Sequence, residues 1–359
     1  MDERIIKHAR ILVDHSTKVK AGDMVLISYS DHGLDLVKAI YALASERGAS
    51  PIIQQTPTEA LRSLYDLTPE IYLSRLPVHE LSTYTASDVI IAIKGEENLR
   101  AMRSLDKKRL SLRAQATKPI KDVYLKKRWV VTQVPTPAYA QEAEMSMHEY
   151  EDFVFNAVLR DWRVDENKLR AVEKLMEKTD EVRITGKDTD LTFSIKGRKT
   201  ISDFGEHNVP WGEAFTAPVE DSANGEIYFD LPSVRYGDEA RDIRLKFSKG
   251  EIVDYKASKG EDLLKAMIET DEGSHRLGEF GIGTNDNITK FTRNILFDEK
   301  MAGTIHLAIG FAYPDCHGKN QSAIHWDMIK TMKPGEVLFD GRLVMKDGVF
   351  TFMEEGKKR

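Results

Sequence analysis

The first half of the chain alternates continuous apolar runs with amphipathic stretches. The runs at 24–30 and 88–95 have the composition of strands buried on both faces of a sheet. The stretch at 33–47 predicts a helix, and Gly48 occupies the position of a C-terminal glycine stop. Strands separated by helices predict a mostly parallel sheet. The predicted strands are 24–30, 51–55, 88–95 and 128–134, and the predicted helices are 2–19, 33–47, 96–107 and 166–178.

The pattern changes after residue 178, where short segments of alternating polar and apolar residues predominate. Residues 181–198 predict two strands around a Gly-Lys-Asp turn, and further hairpin patterns follow. Residues 261–269 are the one stretch here with the period of a helix. We therefore expect an α/β domain with a mostly parallel sheet at residues 1–178 and a strand-rich α+β domain at residues 179–359, with the boundary near Thr179.

Composition and charge narrow the functional classes. The chain has 359 residues, of which 41% are hydrophobic and 31% charged, as in a globular protein of two domains. Its formal net charge of -6, with both signs mixed along the chain, predicts no nucleic-acid partner and no membrane-surface partner. No apolar run is long enough to span a bilayer, and no signal-peptide core is recognisable at the N-terminus. The single cysteine, Cys316, suits a cytoplasmic protein.

Candidate chemistry concentrates in residues 304–327. His306 alternates with an apolar row in a predicted strand, so its side chain faces away from that row. His325 and Asp327 lie two residues apart and share one face if this segment is also a strand. Imidazoles and a carboxylate are ligands of a zinc-like ion. The alternative is a hydrogen-bonded His–Asp pair without a metal, because a carboxylate often orients an imidazole ring.

Two upstream glutamates are candidates for the same site. Glu213 lies between Trp211 and Phe215, and Glu279 lies in a glycine-rich, apolar segment. Burial of an unpaired carboxylate is costly, and coordination of a metal ion would compensate for it. The alternative for each glutamate is a position beside a turn with access to solvent.

Other motifs carry less information. The first half contains no Gly-rich dinucleotide motif and no phosphate-binding loop. The loop 30–33 precedes a helix and could hold an anion at the helix N-terminus, although an ordinary turn explains it equally. Cys316 and His317 lie between the histidine motifs, but we do not expect them to be metal ligands.

Four motifs occur in collinear order and together resemble the thermophilic metallo-aminopeptidases of the aminopeptidase T and aminopeptidase S type. They are GEAFTAPVEDSANGEI, LGEFGIGTN, NILFDEKMAGTIHLAIGFAYP and NQSAIHWDM. The resemblance implies a pair of divalent ions per chain (zinc, cobalt, manganese or magnesium), peptide substrates with a free N-terminus, and a homodimer. Position by position, it implies six ligands, of which Glu213 and Tyr313 are also expected to act in catalysis: Glu213, Glu279, His306, Tyr313, His325 and Asp327.

The implied mechanism is hydrolysis of the first peptide bond. One ion would bind the α-amine, and the other would polarise the scissile carbonyl and activate water. Tyr313 would coordinate or stabilise the oxyanion. Whether Glu213 or Glu279 bridges the ions or receives the proton stays open. The competing readings are a metal hydrolase of another class, such as an amidase or phosphoesterase, and a non-catalytic binding protein of the same fold.

This chain departs from the family pattern at two positions. Gly212 stands where some relatives have an acid before the first glutamate, and Asn320-Gln321-Ser322 stands where many relatives have an acid before the His-x-Asp motif. Neither departure affects the six proposed ligands. If the acid before the first glutamate acts as a base, however, this chain needs another.

Overall fold

The computed structural model describes residues 1–235 and 237–352. The chain forms two compact units, one made of Met1–Arg160 and Phe204–Pro210, the other of Asp161–Asp203 and Trp211–Arg359. The predicted domain boundary near Thr179 stays a prediction. Every helix in the described part of the chain is too short or too polar to cross a bilayer.

The helices and strands follow one another in chain order. The helices are α1 (Glu3–Arg10), α2 (Leu34–Glu46), α3 (Thr58–Leu67), α4 (Glu70–Leu73), α5 (Val78–Ala86), α6 (Lys107–Tyr124), α7 (Pro137–Glu142), α8 (Met147–Val158), α9 (Trp162–Met176), α10 (Glu261–Ile268) and α11 (Ile295–Asp298). The strands are β1 (Met24–Tyr29), β2 (Ser50–Gln55), β3 (Val89–Lys94), β4 (Arg128–Gln133), β5 (Glu181–Gly186), β6 (Thr189–Ser194), β7 (Ile201–Asp203), β8 (Asn208–Val209), β9 (Glu213–Thr216), β10 (Asn224–Phe229), β11 (Ser233–Arg235), β12 (Asp238–Ala240), β13 (Ile243–Ser248), β14 (Glu251–Lys256), β15 (Leu277–Gly283), β16 (Thr304–Gly310), β17 (His325–Thr331), β18 (Gly335–Phe339), β19 (Arg342–Lys346) and β20 (Val349–Phe350).

A parallel sheet of strand order β2-β1-β3-β4-β8 forms the centre of the first unit. The middle strands are apolar along most of their length, and Leu26, Ile27, Ile90 and Ile91 are fully buried. The helices of this unit lie between the strands in sequence, as the alternating pattern predicted. The prediction of an α/β N-terminal domain with a mostly parallel sheet is confirmed.

The predicted helices of this unit need two corrections. The helix predicted at 96–107 is wrong, because this segment forms turns and α6 begins only at Lys107. The Asp106 side chain accepts a hydrogen bond from the Lys108 backbone N–H at 2.9 Å and caps α6. The helix predicted at 2–19 is α1, followed by a π-helical segment, Ile11–Ser16.

The loop 30–33 is organised by its own carboxylate. Asp31 accepts hydrogen bonds from the Thr58 backbone N–H at 2.8 Å, the Thr58 hydroxyl and the Glu97 backbone N–H at 3.0 Å. Gly33 has a φ of 116° and starts α2 without a side-chain cap. Because a negative charge already lies in this loop, the structure favours an ordinary turn over an anion site.

The second unit is built from antiparallel sheets. The larger has the order β14-β13-β10-β6-β5-β18-β19-β20, and another has the order β17-β16-β15-β9-β7. Strands β5 and β6 form the predicted hairpin, with Asp188 in the left-handed conformation at the turn. The prediction of a strand-rich α+β C-terminal region is confirmed. The sheet β17-β16-β15-β9-β7 carries the candidate site.

Candidate metal centre

One face of the sheet β17-β16-β15-β9-β7 carries the candidate donors, and its other face is mostly apolar, with Lys330 of β17 as an exception. On β16, Ile305, Leu307 and Ile309 point to the apolar face and are fully buried, so His306 points the opposite way. On β17, His325 and Asp327 share the polar face, because side chains alternate along a strand. Both predictions about the directions of these side chains are therefore confirmed.

Small residues lie opposite the polar side chains. The strand registers pair Gly281 with His306, Gly283 with Glu213, and Gly310 with His325. A Cβ atom on Gly281 would lie 2.0 Å from His306 Nε2, so the imidazole ring occupies the space that a side chain would need. Gly281 thus leaves room for His306, whereas a Cβ at Gly283 or Gly310 would meet the backbone of Met301 or Ile324.

A first group of donors consists of Glu213, Glu279 and His306, all buried. His306 Nε2 lies 3.3 Å from Glu213 Oε2 and 3.1 Å from Glu279 Oε1. Burial raises the pKa of both glutamates, although the positive groups nearby act against it. The alternative of a solvent-exposed Glu213 or Glu279 is therefore excluded, since only 4% and 6% of these residues are accessible.

A second group of donors consists of Glu279, His325 and Asp327. His325 Nε2 lies 3.7 Å from Glu279 Oε2 and 3.4 Å from Asp327 Oδ2. Glu279 thus belongs to both groups, with Oε1 on the side of His306 and Oε2 on the side of His325. The donor atoms within each group lie within 4.8 Å of one another, which is close enough to surround one ion.

The two histidines are held in a field of negative charge. Burial alone would lower the pKa of both imidazoles, but the carboxylates outweigh burial and raise the pKa of His306 to about 9 and of His325 to about 10. Burial would raise the pKa of Asp327, but the charge of His325 lowers it to about 2. The site therefore favours positive charge strongly.

Buried oxygen atoms without a hydrogen-bond partner indicate whether a metal ion fits this site. Glu213 Oε2 and Asp327 Oδ1 are buried without a hydrogen-bond partner, which is costly for carboxylate oxygens. His325 Nδ1 lies 2.7 Å from the Phe311 carbonyl oxygen, to which it donates, and this leaves the Nε2 lone pair for an ion. The mixed nitrogen and oxygen donors suit a divalent cation, so the residues fit the expected metal.

Tyr313 borders this cluster from the loop after β16. Its ring centroid lies 5.1 Å from that of His325, and it makes edge contacts with Phe215 and Phe311. Loss of hydration around the hydroxyl, together with the charges of Glu279 and Asp327, raises the pKa of Tyr313 above its usual value. The structure thus brings all six predicted residues together, while their roles as ligands stay predictions.

Sequence analysis missed Lys300, which is fully buried beside the first group of donors. Its Nζ lies 3.1 Å from Glu213 Oε1 and also contacts Glu299 Oε1. Burial would lower the pKa of Lys300, but the two glutamates outweigh it and raise the pKa. Nothing in the local sequence distinguishes Lys300 from a surface lysine, so only the structure could reveal it.

Both departures from the family pattern have structural roles. Gly212 has a φ of 125°, and a Cβ atom there would lie 2.8 Å from Asn285 Cβ, so an acid does not fit this backbone. Asn320 is buried and donates hydrogen bonds to the carbonyl oxygens of Gly273 at 2.8 Å and Gly310 at 2.6 Å. A carboxylate at 320 could not make these bonds, because it has no proton to donate.

The loop residues Cys316 and His317 do not join the donors. Cys316 is buried against Ala217 and Ala312, whereas His317 is exposed, with Nδ1 3.4 Å from the Gly197 carbonyl oxygen. Neither occurs in the donor groups found among the described residues. The expectation that neither is a ligand stays a prediction.

Comparison with known proteins places these observations in a family. The sequence model of the thermophilic metalloprotease (M29) family matches residues 1–350. Aminopeptidase AmpS of Bacillus subtilis (strain 168) is 26% identical over 352 residues, which cover 87% of this chain and 85% of the relative. Aminopeptidase 2 of Geobacillus stearothermophilus is 25% identical and covers 97% of this chain and 95% of the relative.

Two solved structures share the fold over almost the whole chain. Wild-type AmpT from Thermus thermophilus superposes with a TM-score of 0.86 at 22% identity, covering 97% of this chain and 99% of that one. A 2,5-dihydroxypyridine dioxygenase from Pseudomonas putida KT2440 superposes with a TM-score of 0.64 at 16% identity, covering 97% and 96%. The fold alone is therefore compatible with different reactions.

The family match decides between the classes that the fold leaves open. It spans nearly all of the chain and includes the motifs that carry the donors. The predictions of a family resemblance and of a metal-dependent enzyme acting on peptide bonds are both confirmed. The chain belongs to the thermophilic metalloprotease (M29) family.

Proposed function

We propose that this protein is an aminopeptidase that removes the N-terminal residue of peptides with two divalent ions. The observation that carries the proposal is the pair of donor groups that share Glu279. Glu213, Glu279 and His306 would hold one ion, and Glu279, His325 and Asp327 the other. Glu279 would thus help to hold both ions, because its two oxygens face different histidines.

Two bound ions would supply Lewis-acid polarisation of the scissile carbonyl and activation of water. The chain's own residues account for the other requirements. Asp327 and His325 are the more accessible donors, with 12% and 20% of their side chains exposed. We therefore place the free α-amine of the substrate on that side of the cluster, next to His325 and Asp327.

Tyr313 is placed to act on the reacting carbonyl. Its hydroxyl stays protonated at neutral pH, since its pKa is raised. A protonated phenol can donate a hydrogen bond to the oxygen on which negative charge develops. Its ring contact with His325 holds it next to the second group of donors.

The native metal is a separate question. Donor sets of imidazole and carboxylate accept zinc, cobalt, manganese and magnesium to differing degrees. Metal-stripped protein, titrated with each ion while hydrolysis is followed, would identify the ion that supports activity. The homodimer and the cytoplasmic location stay predictions from the sequence, and light scattering on the purified protein would test the dimer.

The proposal is tested with leucyl anilide, acetyl-leucyl anilide and a phosphate ester. We expect cleavage of the first alone, because the acetyl group removes the free amine. His325→Ala should lose most of this activity, by more than the roughly 10–100-fold typical of changes to an outer-shell partner. His317→Ala is the matched control and should behave as wild type, because His317 lies outside both donor groups. Rapid cleavage of the acetylated substrate would refute aminopeptidase activity, and cleavage of the phosphate ester would favour the rival class.

A further inference from the structure

Lys300 presents a fixed ammonium group to the first group of donors. Its backbone N–H donates to the Phe297 carbonyl at 3.0 Å, and its carbonyl accepts from the Asn285 N–H at 2.8 Å. The side chain is fully buried and reaches Glu213 Oε1 at 3.1 Å. Because both ends of this contact are buried, the orientation of the Glu213 carboxylate depends on Lys300.

The two glutamates of the site use their oxygens differently. Glu213 Oε1 is occupied by Lys300, whereas Oε2 has no hydrogen-bond partner and lies 3.3 Å from His306 Nε2. Glu279 places one oxygen 3.1 Å from His306 and the other 3.7 Å from His325. Glu213 therefore presents a single oxygen to the donors, whereas Glu279 presents one oxygen to each donor group.

Charge gives a second reason for a cation at this position. Glu213, Glu299 and Asp203 all act on Lys300 electrostatically. Asp203 is also the strand partner of Glu213 in the pairing of β7 with β9. Without Lys300, the buried Glu213 and Asp203 and the half-buried Glu299 would repel one another, and turning Glu213 away would lower the free energy.

We propose that Lys300 is a positioning residue that holds Glu213 Oε1 and so makes Glu213 a ligand through Oε2 alone. The inference rests on the proposed function only in needing an ion between Glu213 and His306. Lys300 acts through Glu213 and does not touch the reacting atoms. The ammonium group therefore sets the affinity of that ion through a direct contact, whereas it acts on Asp327 of the second group only through its charge.

The test compares Lys300→Met with Lys330→Met as a matched control. Lys330 is also buried, but its Nζ donates to the Tyr228 carbonyl at 2.8 Å. On β17 its side chain lies on the opposite face from Asp327, because the two are three residues apart. Both variants thus lose a buried ammonium group, and only one loses the contact with Glu213.

Metal-free protein is titrated with Co²⁺ alone by calorimetry, and Glu213→Gln and His325→Ala assign the two binding events. We expect Lys300→Met to weaken the Co²⁺ of the first group about 10–100-fold and to change the second less, because Lys300 acts on Asp327 only through its charge. Lys330→Met should change neither. Wild-type or tighter binding of both ions by Lys300→Met would overturn the inference.

Two further outcomes keep this test separate from that of the function. If wild type binds a single Co²⁺, the two-ion proposal fails, and Glu213→Gln shows whether the first group holds that ion. If it does, the two methionine variants still test Lys300 there; an ion that Glu213→Gln leaves in place would overturn the inference. If Lys300→Met does not fold by circular dichroism, a crystal structure of wild type with Co²⁺ decides. Chelation of the ion by both Glu213 oxygens would then overturn the inference, and coordination by Oε2 with Oε1 on Lys300 would support it.

Discussion

At the scale of single residues, the site contains glycines opposite its polar side chains. Glycines at 281, 283 and 310 face His306, Glu213 and His325 across the strand pairs. A Cβ atom on Gly281 would meet the His306 ring. A Cβ atom on Gly283 or Gly310 would lie within 3 Å of backbone atoms. Gly281 is therefore part of the site, although it offers no ligand.

Gly281→Ala tests this directly. The added Cβ would lie 2.0 Å from His306 Nε2, so the imidazole must move away from Glu213 and Glu279. We expect hydrolysis of leucyl anilide and metal affinity to fall together by about 10–100-fold or more, by comparison with outer-shell changes. Gly186→Ala is the control, because its Cβ would meet nothing closer than 3.1 Å. Unchanged metal affinity in Gly281→Ala would contradict the fixed position of the His306 ring.

At the scale of elements, local patterns predicted more than long-range ones. The alternation along β16 and β17 predicted which way His306, His325 and Asp327 point. The prediction of a helix at 96–107 was wrong. The composition of this segment suits a helix, but the chain there forms turns, and α6 starts after the capping residue Asp106. Sequence period also cannot give strand register, so the convergence of β9, β15, β16 and β17 came only from the family resemblance.

Register also explains why Lys300 was missed. Its burial results from how residues 297–301 pack beside Asn285, a contact between segments that no sequence period encodes. In β15 the register shifts between Leu277 and Glu279, so a regular alternation does not describe that strand. The candidate site was thus predictable as a set of residue types, and its geometry was not.

The cap of α6 makes a prediction at this scale. Asp106→Ala removes the acceptor for the Lys108 N–H, so we expect the free energy of unfolding to fall by about 1 kcal/mol. Asp122→Ala, in an exposed position within the same helix, is the control and should change stability by less than about 0.5 kcal/mol. Urea unfolding followed by circular dichroism measures both. Equal stability of the two variants would show that the cap contributes nothing.

At the scale of the whole molecule, stability and activity depend on separate groups. In the first unit His8 is buried, and its Nε2 donates to Thr132 Oγ1 at 2.8 Å, which in turn donates to the Val209 carbonyl at 2.9 Å. Burial lowers the pKa of His8 to about 3. The native state therefore keeps His8 neutral at pH values where the unfolded chain binds a proton.

This difference predicts a loss of stability in acid. The contribution of neutral His8 is fully present above about pH 6.5 and is lost as the pH falls towards 3, at about 1.4 kcal/mol per unit. Urea unfolding of wild type and His8→Gln at pH 7.5 and 5.5 isolates the effect. Between these pH values, wild type should lose about 1.4 kcal/mol more than the variant. An identical loss in both would show that His8 is protonated in the folded protein.

The short strand β8 has a consequence for how this protein can be dissected. Residues 204–210 belong to the first unit, where β8 adds to the edge of the parallel sheet beside β4, yet they follow residues 161–203 of the second unit. A ribosome therefore finishes the first sheet only after it has begun the second unit. A truncation after Arg160 would leave the backbone groups of β4 without their last partner, so cutting the gene once cannot yield two complete halves.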